Sequence, residues 1–269
     1  MSFIPALPAT GFAGWALLKR TKAAQEAAFA AQPAQRRDAE HFAARAPALR
    51  GVDDLMGDRR LLGVVLGAYG LEADLPNRFF IRRVLSENPA DPAALVNRLA
   101  DKRYRALAEG AGFGAGNPAR RPGFAERILG MWQGRSFEVA VGRQDDALRL
   151  ALNAERELAT LAVTGSRDDA RWFAVMGNPP LRKVFETAFG LPVAFGRLDI
   201  DRQLSTLRQK AEAAFGDPSL GQFQSREKRE ALIQRFLLRA EASGGAGGTV
   251  AAAMARVSTL LAPLAAPRG

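Results

Sequence analysis

Residues 56–71, MGDRRLLGVVLGAYGL, can be laid without a gap over residues 176–191, MGNPPLRKVFETAFGL. Met56/Met176, Gly57/Gly177, Leu61/Leu181, Val64/Val184, Ala68/Ala188, Gly70/Gly190 and Leu71/Leu191 are identical. Asp58 and Asn178 both have side chains that accept from the free N–H groups of a first helical turn. Pro179 then takes the first helical position, where its missing N–H has no intrahelical partner to lose. Leu61, Val64 and Ala68, like Leu181, Val184 and Ala188, recur on one helical face. Gly70 and Gly190 stand where a helix ends in the left-handed region, which glycine enters most easily. Leu71 and Leu191 follow where a Schellman cap makes its apolar contact. The stretch therefore reads as a capped amphipathic helix that occurs twice, 120 residues apart, and it predicts an internal duplication.

Outward from these two copies the period stays helical, and strand alternation is nearly absent. Residues 11–31 read as a helix ended by Pro33, with Trp15, Leu18 and Phe29 on a shared face. Further helices are expected over 34–46, from Val52, over Asn77 to Leu85, and from Asp91-Pro92 onward. The longest run is expected from Arg135 to Val163, closed by Gly165 and Ser166. Residues 199–215 and 225–242 give two more helices. SGGAGG (243–248) reads as a flexible linker before a last apolar helix, 249–264. The fold expected is all-α, with two related helical modules and amphipathic terminal helices. Its parts are N-terminal helices (1–50), a first module (51–130), a second module (131–242), and the linker with the C-terminal helix (243–269).

A chain of 269 residues can bury a substantial core, and 48% hydrophobic with 25% charged residues is the balance of a soluble globular protein. It has no cysteine, which excludes disulfides, thiolate metal sites and cysteine nucleophiles. His41 is the single histidine, so histidine-rich metal sites are excluded, and a Ser-His-Asp triad would have to use it. The net charge is +10, and six Lys against 32 Arg give the excess an arginine character. A basic surface favours acidic partners. The short Arg pairs are, however, scattered among acids, with no aromatic-interleaved stripe, so nucleic acid is not the expected partner. The N-terminus lacks a charged region ahead of its apolar stretch and is broken by Pro5 and Pro8. No signal peptide or membrane span is expected, and the compartment expected is the cytoplasm, with export by a non-cleaved route left open.

Three acid pairs invite a metal reading: Asp53-Asp54, Asp145-Asp146 and Asp168-Asp169. Neighbours on a helix point about 100° apart, which makes a single pair a poor chelator, and each pair lies near an expected helix start. Gly112 to Gly116 lacks the preceding strand and the Lys-Ser/Thr of a phosphate loop. No nucleophile motif accompanies His41. The residues assign no catalytic, cofactor-binding or metal-binding residue, and no cofactor. The two amphipathic ends, 11–31 and 249–264, are the better candidates for contact with a partner.

Several long segments, in order along nearly the whole chain, resemble a bacterial family known as domain of unknown function 1217. They include GFAGWALLKRT (11–21), VDDLMGDRRLLGVVLGAYGLE (52–72), FFIRRVLSENPADP (79–92), NRLADKRYRALAEG (97–110), SFEVAVGRQDDALRLALNAEREL (136–158) and WFAVMGNPPLRKVFETAFGLP (172–192). Members often lie in flagellar gene clusters, and some carry the label of flagellar basal-body rod protein. The resemblance implies a helical protein connected with flagellar assembly or motility, and it brings no catalytic residues. The function expected is a non-enzymatic, flagellum-associated one exerted through protein contacts, as assembly factor, chaperone or basal-body accessory. The expected partners are flagellar or basal-body proteins, with a homo-oligomer left open. The alternative is a basic regulator that binds nucleic acid.

Overall fold

The structure is a computed structural model that describes residues 3–244. Thirteen α-helices, joined by turns and five short 3-10 segments, make up the described residues, and no strand occurs among them. The fold is all-α. The expected C-terminal helix 249–264 lies outside the described residues.

The helices sort into two hydrophobic cores. The first gathers α2 (Pro33–Arg45), α3 (Val52–Gly57), α4 (Arg59–Ala68), α5 (Arg78–Ser86), α6 (Leu95–Arg98), α7 (Arg103–Ala111) and the start of α8 (Phe124–Gly142). Phe42, Leu62, Val65, Leu66, Ile81 and Leu107 are buried in it. The second gathers α1 (Gly11–Ala30), the end of α8, α9 (Asp146–Leu161), α10 (Asp168–Met176), α11 (Pro179–Phe189), α12 (Ile200–Phe215) and α13 (Arg226–Gly244). Trp15, Phe137, Trp172, Phe185, Phe223 and Phe236 are buried in it. Helix α8 belongs to both cores. Phe124, Ile128 and Trp132, spaced by four, face the first, whereas Phe137, Ala140 and Val141 face the second.

The face expected on α1 is real: Trp15, Leu18 and Phe29 are all buried in the second core. The indole N–H of Trp15 and the ammonium of Lys19 donate to Glu230 of α13, at 3.0 and 2.5 Å. The N-terminal amphipathic helix is therefore packed on the chain itself, while α2 beside it joins the first core.

The two capped helices share the N-cap bond to the third helical residue and the same C-terminal cap. The Asp58 carboxylate accepts from the N–H groups of Arg60 and Leu61 at the start of α4 (2.9 and 3.1 Å), and the Asn178 carbonyl accepts from Leu181 at the start of α11 (3.2 Å). Gly70 and Gly190 have φ of 68° and 63°. The Leu71 N–H donates to Leu66 and the Leu191 N–H to Glu186, the long bond of the Schellman cap. The correspondence is one of a motif. Helix α4 packs on α8 and α2, whereas α11 packs on α13 and α9, so a duplication of whole modules is not established.

Two expected helices are corrected. The run from Arg135 to Val163 is two helices, because the Asp145 carboxylate accepts from the Leu148 N–H (3.0 Å) and starts α9 afresh after Gly142. The helix expected from Asp91-Pro92 is only the single turn α6. Before it, the Asn88 and Asp91 side chains accept from the N–H groups of Ala90 and Ala93 (3.0 and 2.8 Å), which holds the backbone in consecutive turns.

Candidate functional site

The residues with acid-base potential are engaged in holding helices together. Asp53 pairs with Arg82 of α5, and Asp54 accepts from the Arg50 N–H at 2.8 Å. Asp146 pairs with Arg149 at 2.7 Å, one turn on from the cap formed by Asp145. Asp168 accepts from Arg208 of α12 (2.8 Å) and from the Leu220 N–H (2.9 Å), and Asp169 lies 2.7 Å from the same guanidinium. These hydrogen bonds hold the Arg208 guanidinium above its ordinary pKa. Each pair lies at or beside a helix start. No group of three or more metal-capable side chains forms among the described residues. In the 112–116 loop the N–H groups of Gly112, Phe113 and Gly116 all bond to backbone carbonyls, Phe113 to Leu85 at 2.7 Å, so the loop is stitched to the end of α5.

His41 reaches from α2 to Asp58, with Nε2 2.6 Å from Oδ2. Burial pushes the Asp58 carboxyl up, but the Leu61 N–H, His41 and the Arg60 N–H together hold it below its ordinary value of 3.8. A carboxyl lowered in this way stabilises the fold at and above its unfolded pKa and loses that contribution as the pH falls. Asp58→Ala should therefore cost about 1–2 kcal/mol in urea denaturation at neutral pH. Its deficit against the wild type should shrink once the pH falls below about 4. An equal deficit at pH 7 and pH 3 would contradict this.

Where α8 crosses between the cores, it is tied to α9 by four charged side chains. Arg156 grips Glu138 with two bonds, at 2.7 and 3.0 Å. Arg156 and Arg135 both donate to Glu157 Oε1, at 2.5 and 2.6 Å. Burial would lower the Arg156 pKa, but Glu138 and Glu157 raise it. Arg135 is lowered, by burial first and then by the charge of Arg156. The sequence singled out none of these four residues. Its one signal was acid and base at helical spacings on two stretches now known to face each other.

The surface offers a groove between α9, α11 and α13, with a volume of about 610 Å³. Leu150, Leu191, Phe236 and Ala240 form its apolar wall. On its rim Asp146 is paired with Arg149 and Glu186 with Arg182. Lys183 and Arg239, also on the rim, pair with no acid among the described residues. Val193 projects beside the groove at 95% exposure, and Leu198 and Ile200, at the start of α12, are also exposed apolar side chains. No helix among the described residues is long and apolar enough to cross a membrane.

A family model described as protein of unknown function (DUF1217) matches residues 68–228, more than half of the chain. The chain belongs to this family. The matched DUF1217 region runs from the end of α4 into α13 and takes in the four charged residues between α8 and α9 and the α9 and α11 sides of the groove. A crystal structure of an Agrobacterium tumefaciens protein, a structural-genomics target, is similar at 25% identity with a TM-score of 0.72. The similarity covers 89% of this chain and 98% of that one, so this arrangement of helices is shared. No curated protein matches the chain.

Proposed function

We propose that this protein is a non-enzymatic, flagellum-associated protein that acts through protein contacts, as an assembly factor, chaperone or basal-body accessory. The observation that carries the contact role is the groove with the exposed Val193 beside it. A valine at 95% exposure beside half-buried Leu191 and Ala240 offers a partner apolar contact at the mouth of a concave surface. The groove suits the apolar face of an amphipathic helix. The uncommitted rim charges, Lys183 and Arg239, favour acidic residues flanking that face. The acid pairs and His41 support a non-enzymatic reading, since they are spent on caps and ion pairs. The flagellar setting rests on family membership and on the gene clusters that the family resemblance implies.

The test is a chromosomal deletion complemented by the wild type or by Val193→Asp/Lys183→Glu, two changes on the groove rim. The deletion should reduce swimming and flagellar number, and the double variant should fold yet fail to restore them. Affinity capture should bring down flagellar components with the wild type only. Unchanged swimming and flagellar number on deletion would remove the flagellar reading. Retention on duplex DNA that falls steeply with salt would favour the basic regulator instead.

A further inference from the structure

We propose that residues 249–264 fold back as a helix into the groove between α9, α11 and α13, so that the chain covers its own contact surface until a partner displaces them. The inference rests on the reading of that groove as a contact surface and concerns its regulation.

The first observation is where the described chain ends. One stripe of α13 starts with the buried Leu232 and runs on through Phe236 to Arg239, Ala240 and Ser243. The last four of these line the groove, so the stripe leaves the core and opens into it over the final two turns. The other side of the same turns is taken: Glu241 lies against the start of α1, where a Cβ on Gly11 would collide with its carboxylate. Helix α13 then ends at Gly244, one residue beyond the groove-lining Ser243. Whatever follows leaves from the mouth of the groove.

The second is the length and pattern of the sequence beyond it. Gly245 to Gly248 are four residues, a length that joins neighbouring antiparallel helices in bundles. They reach less than about 20 Å, so a helix that starts at Thr249 begins beside the groove and runs back along α13 as the second arm of an αα-hairpin. Val250, Met254, Val257 and Leu261 recur at i, i+4, i+7 and i+11 on one face, and Arg256 and Thr259 fall on the other. That stripe spans about 16 Å, the length of the eleven-residue helix α11 that walls the groove. Leu150 and Phe236 form the groove floor, and Ala147, Leu191, Val193 and Ala240 stay partly exposed around it. Apolar anchors at helical spacing suit such a groove. A tether this short holds the segment at an effective concentration of the order of millimolar, which keeps even a weak fit occupied.

The third is charge. Residues 243–269 contain no Asp or Glu, so no side chain of the segment answers Lys183 and Arg239 on the rim. The segment matches the groove in its apolar face alone. A partner helix with acidic flanks makes the same apolar contact and adds ion pairs with Lys183 and Arg239. That difference makes the segment a cover that the right partner removes, and it lowers the affinity for other apolar helices by the fraction of molecules whose groove is open.

The test uses the full-length chain, whose lack of native cysteine allows two nitroxide labels, at Lys183→Cys on the groove rim and at Thr259→Cys on the face away from the stripe. Double electron–electron resonance should give a narrow distance distribution within about 25 Å, two helix diameters. Val257→Asp/Leu261→Asp, which charges the stripe and lies outside the residues of the two cores, should broaden the distribution to longer distances. Ala255→Asp, on the opposite face, should leave it narrow. Regulation is read without labels, by a fluorescent peptide of residues 249–264 that carries Arg256→Glu. It should bind the Val257→Asp/Leu261→Asp chain at least about tenfold more tightly than the wild type, because the groove is then open in about one wild-type molecule in ten or fewer. A broad distribution in the wild type, a short distance that survives the stripe variant, equal peptide affinity for the two chains, or a short distance between singly labelled copies mixed in equal amounts would overturn the proposal. No flagellar component enters these readouts, so self-docking can fail while capture of flagellar partners stands, and the reverse.

Discussion

Phe185→Ala should destabilise the protein by about 4 kcal/mol, among the largest effects of any single side-chain truncation. Phe185 is 1% exposed and sits at the centre of an aromatic group. Its ring meets Trp172, Phe189 and Phe223 edge-on, with centroids 5.3, 5.6 and 5.6 Å away. Truncation forfeits the burial of the ring, leaves a cavity that rigid neighbours cannot close, and removes three edge contacts of about 0.5–1.5 kcal/mol each, which do not simply add. Phe185→Leu retains most of the volume and should cost less than half as much. Phe79→Ala, at a position 84% exposed, should stay within about 0.5 kcal/mol. Equilibrium guanidinium denaturation of the three variants checks the order. Because Phe185 lies wholly in the second core, the alanine variant also tests whether the two cores melt together. A broadened transition with a lower m value would mean that the first core outlasts the second.

Much of this architecture was legible because its signals are local. Asp58, Asn178, Gly70 and Gly190 act within one helical turn of their own position, and residue type and spacing suffice to read them. Trp15, Leu18 and Phe29 show their common face in the same way. The break between α8 and α9 was misread because Arg143-Gln144-Asp145 contains neither proline nor glycine and the apolar period runs on through it. Continuity fails at the cap-forming Asp145, which competes with the helix for its own backbone. At Pro92 polar side chains won again, and Asx turns at Asn88 and Asp91 displace a helix start. The seam could not be read at all. Glu138 and Arg156 are 18 residues apart and meet only because α8 and α9 fold back on each other, a geometry set by the missed turn.

Glu157→Ala should cost about 3 kcal/mol, far more than the loss of a surface ion pair. One oxygen of Glu157 accepts from both Arg135 and Arg156, and the side chain is only 17% exposed. Its removal leaves Arg135, 13% exposed and held down by burial, next to the like charge of Arg156. The cost is mainly that of a buried guanidinium without its acid, so it should change little with added salt. Glu40→Ala, which removes an acid paired with Arg36 where both are about two-thirds exposed, should cost less than about 0.5 kcal/mol. The double variant Arg135→Met/Glu157→Leu is the deciding comparison, because it removes the charge pair and keeps the volume. It should recover most of the stability lost by Glu157→Ala, since well-packed apolar residues commonly equal a buried ion pair. In that case the pair contributes register between α8 and α9 rather than net stability. If the double variant were as unstable as Glu157→Ala, the four-residue network would itself hold the two cores together.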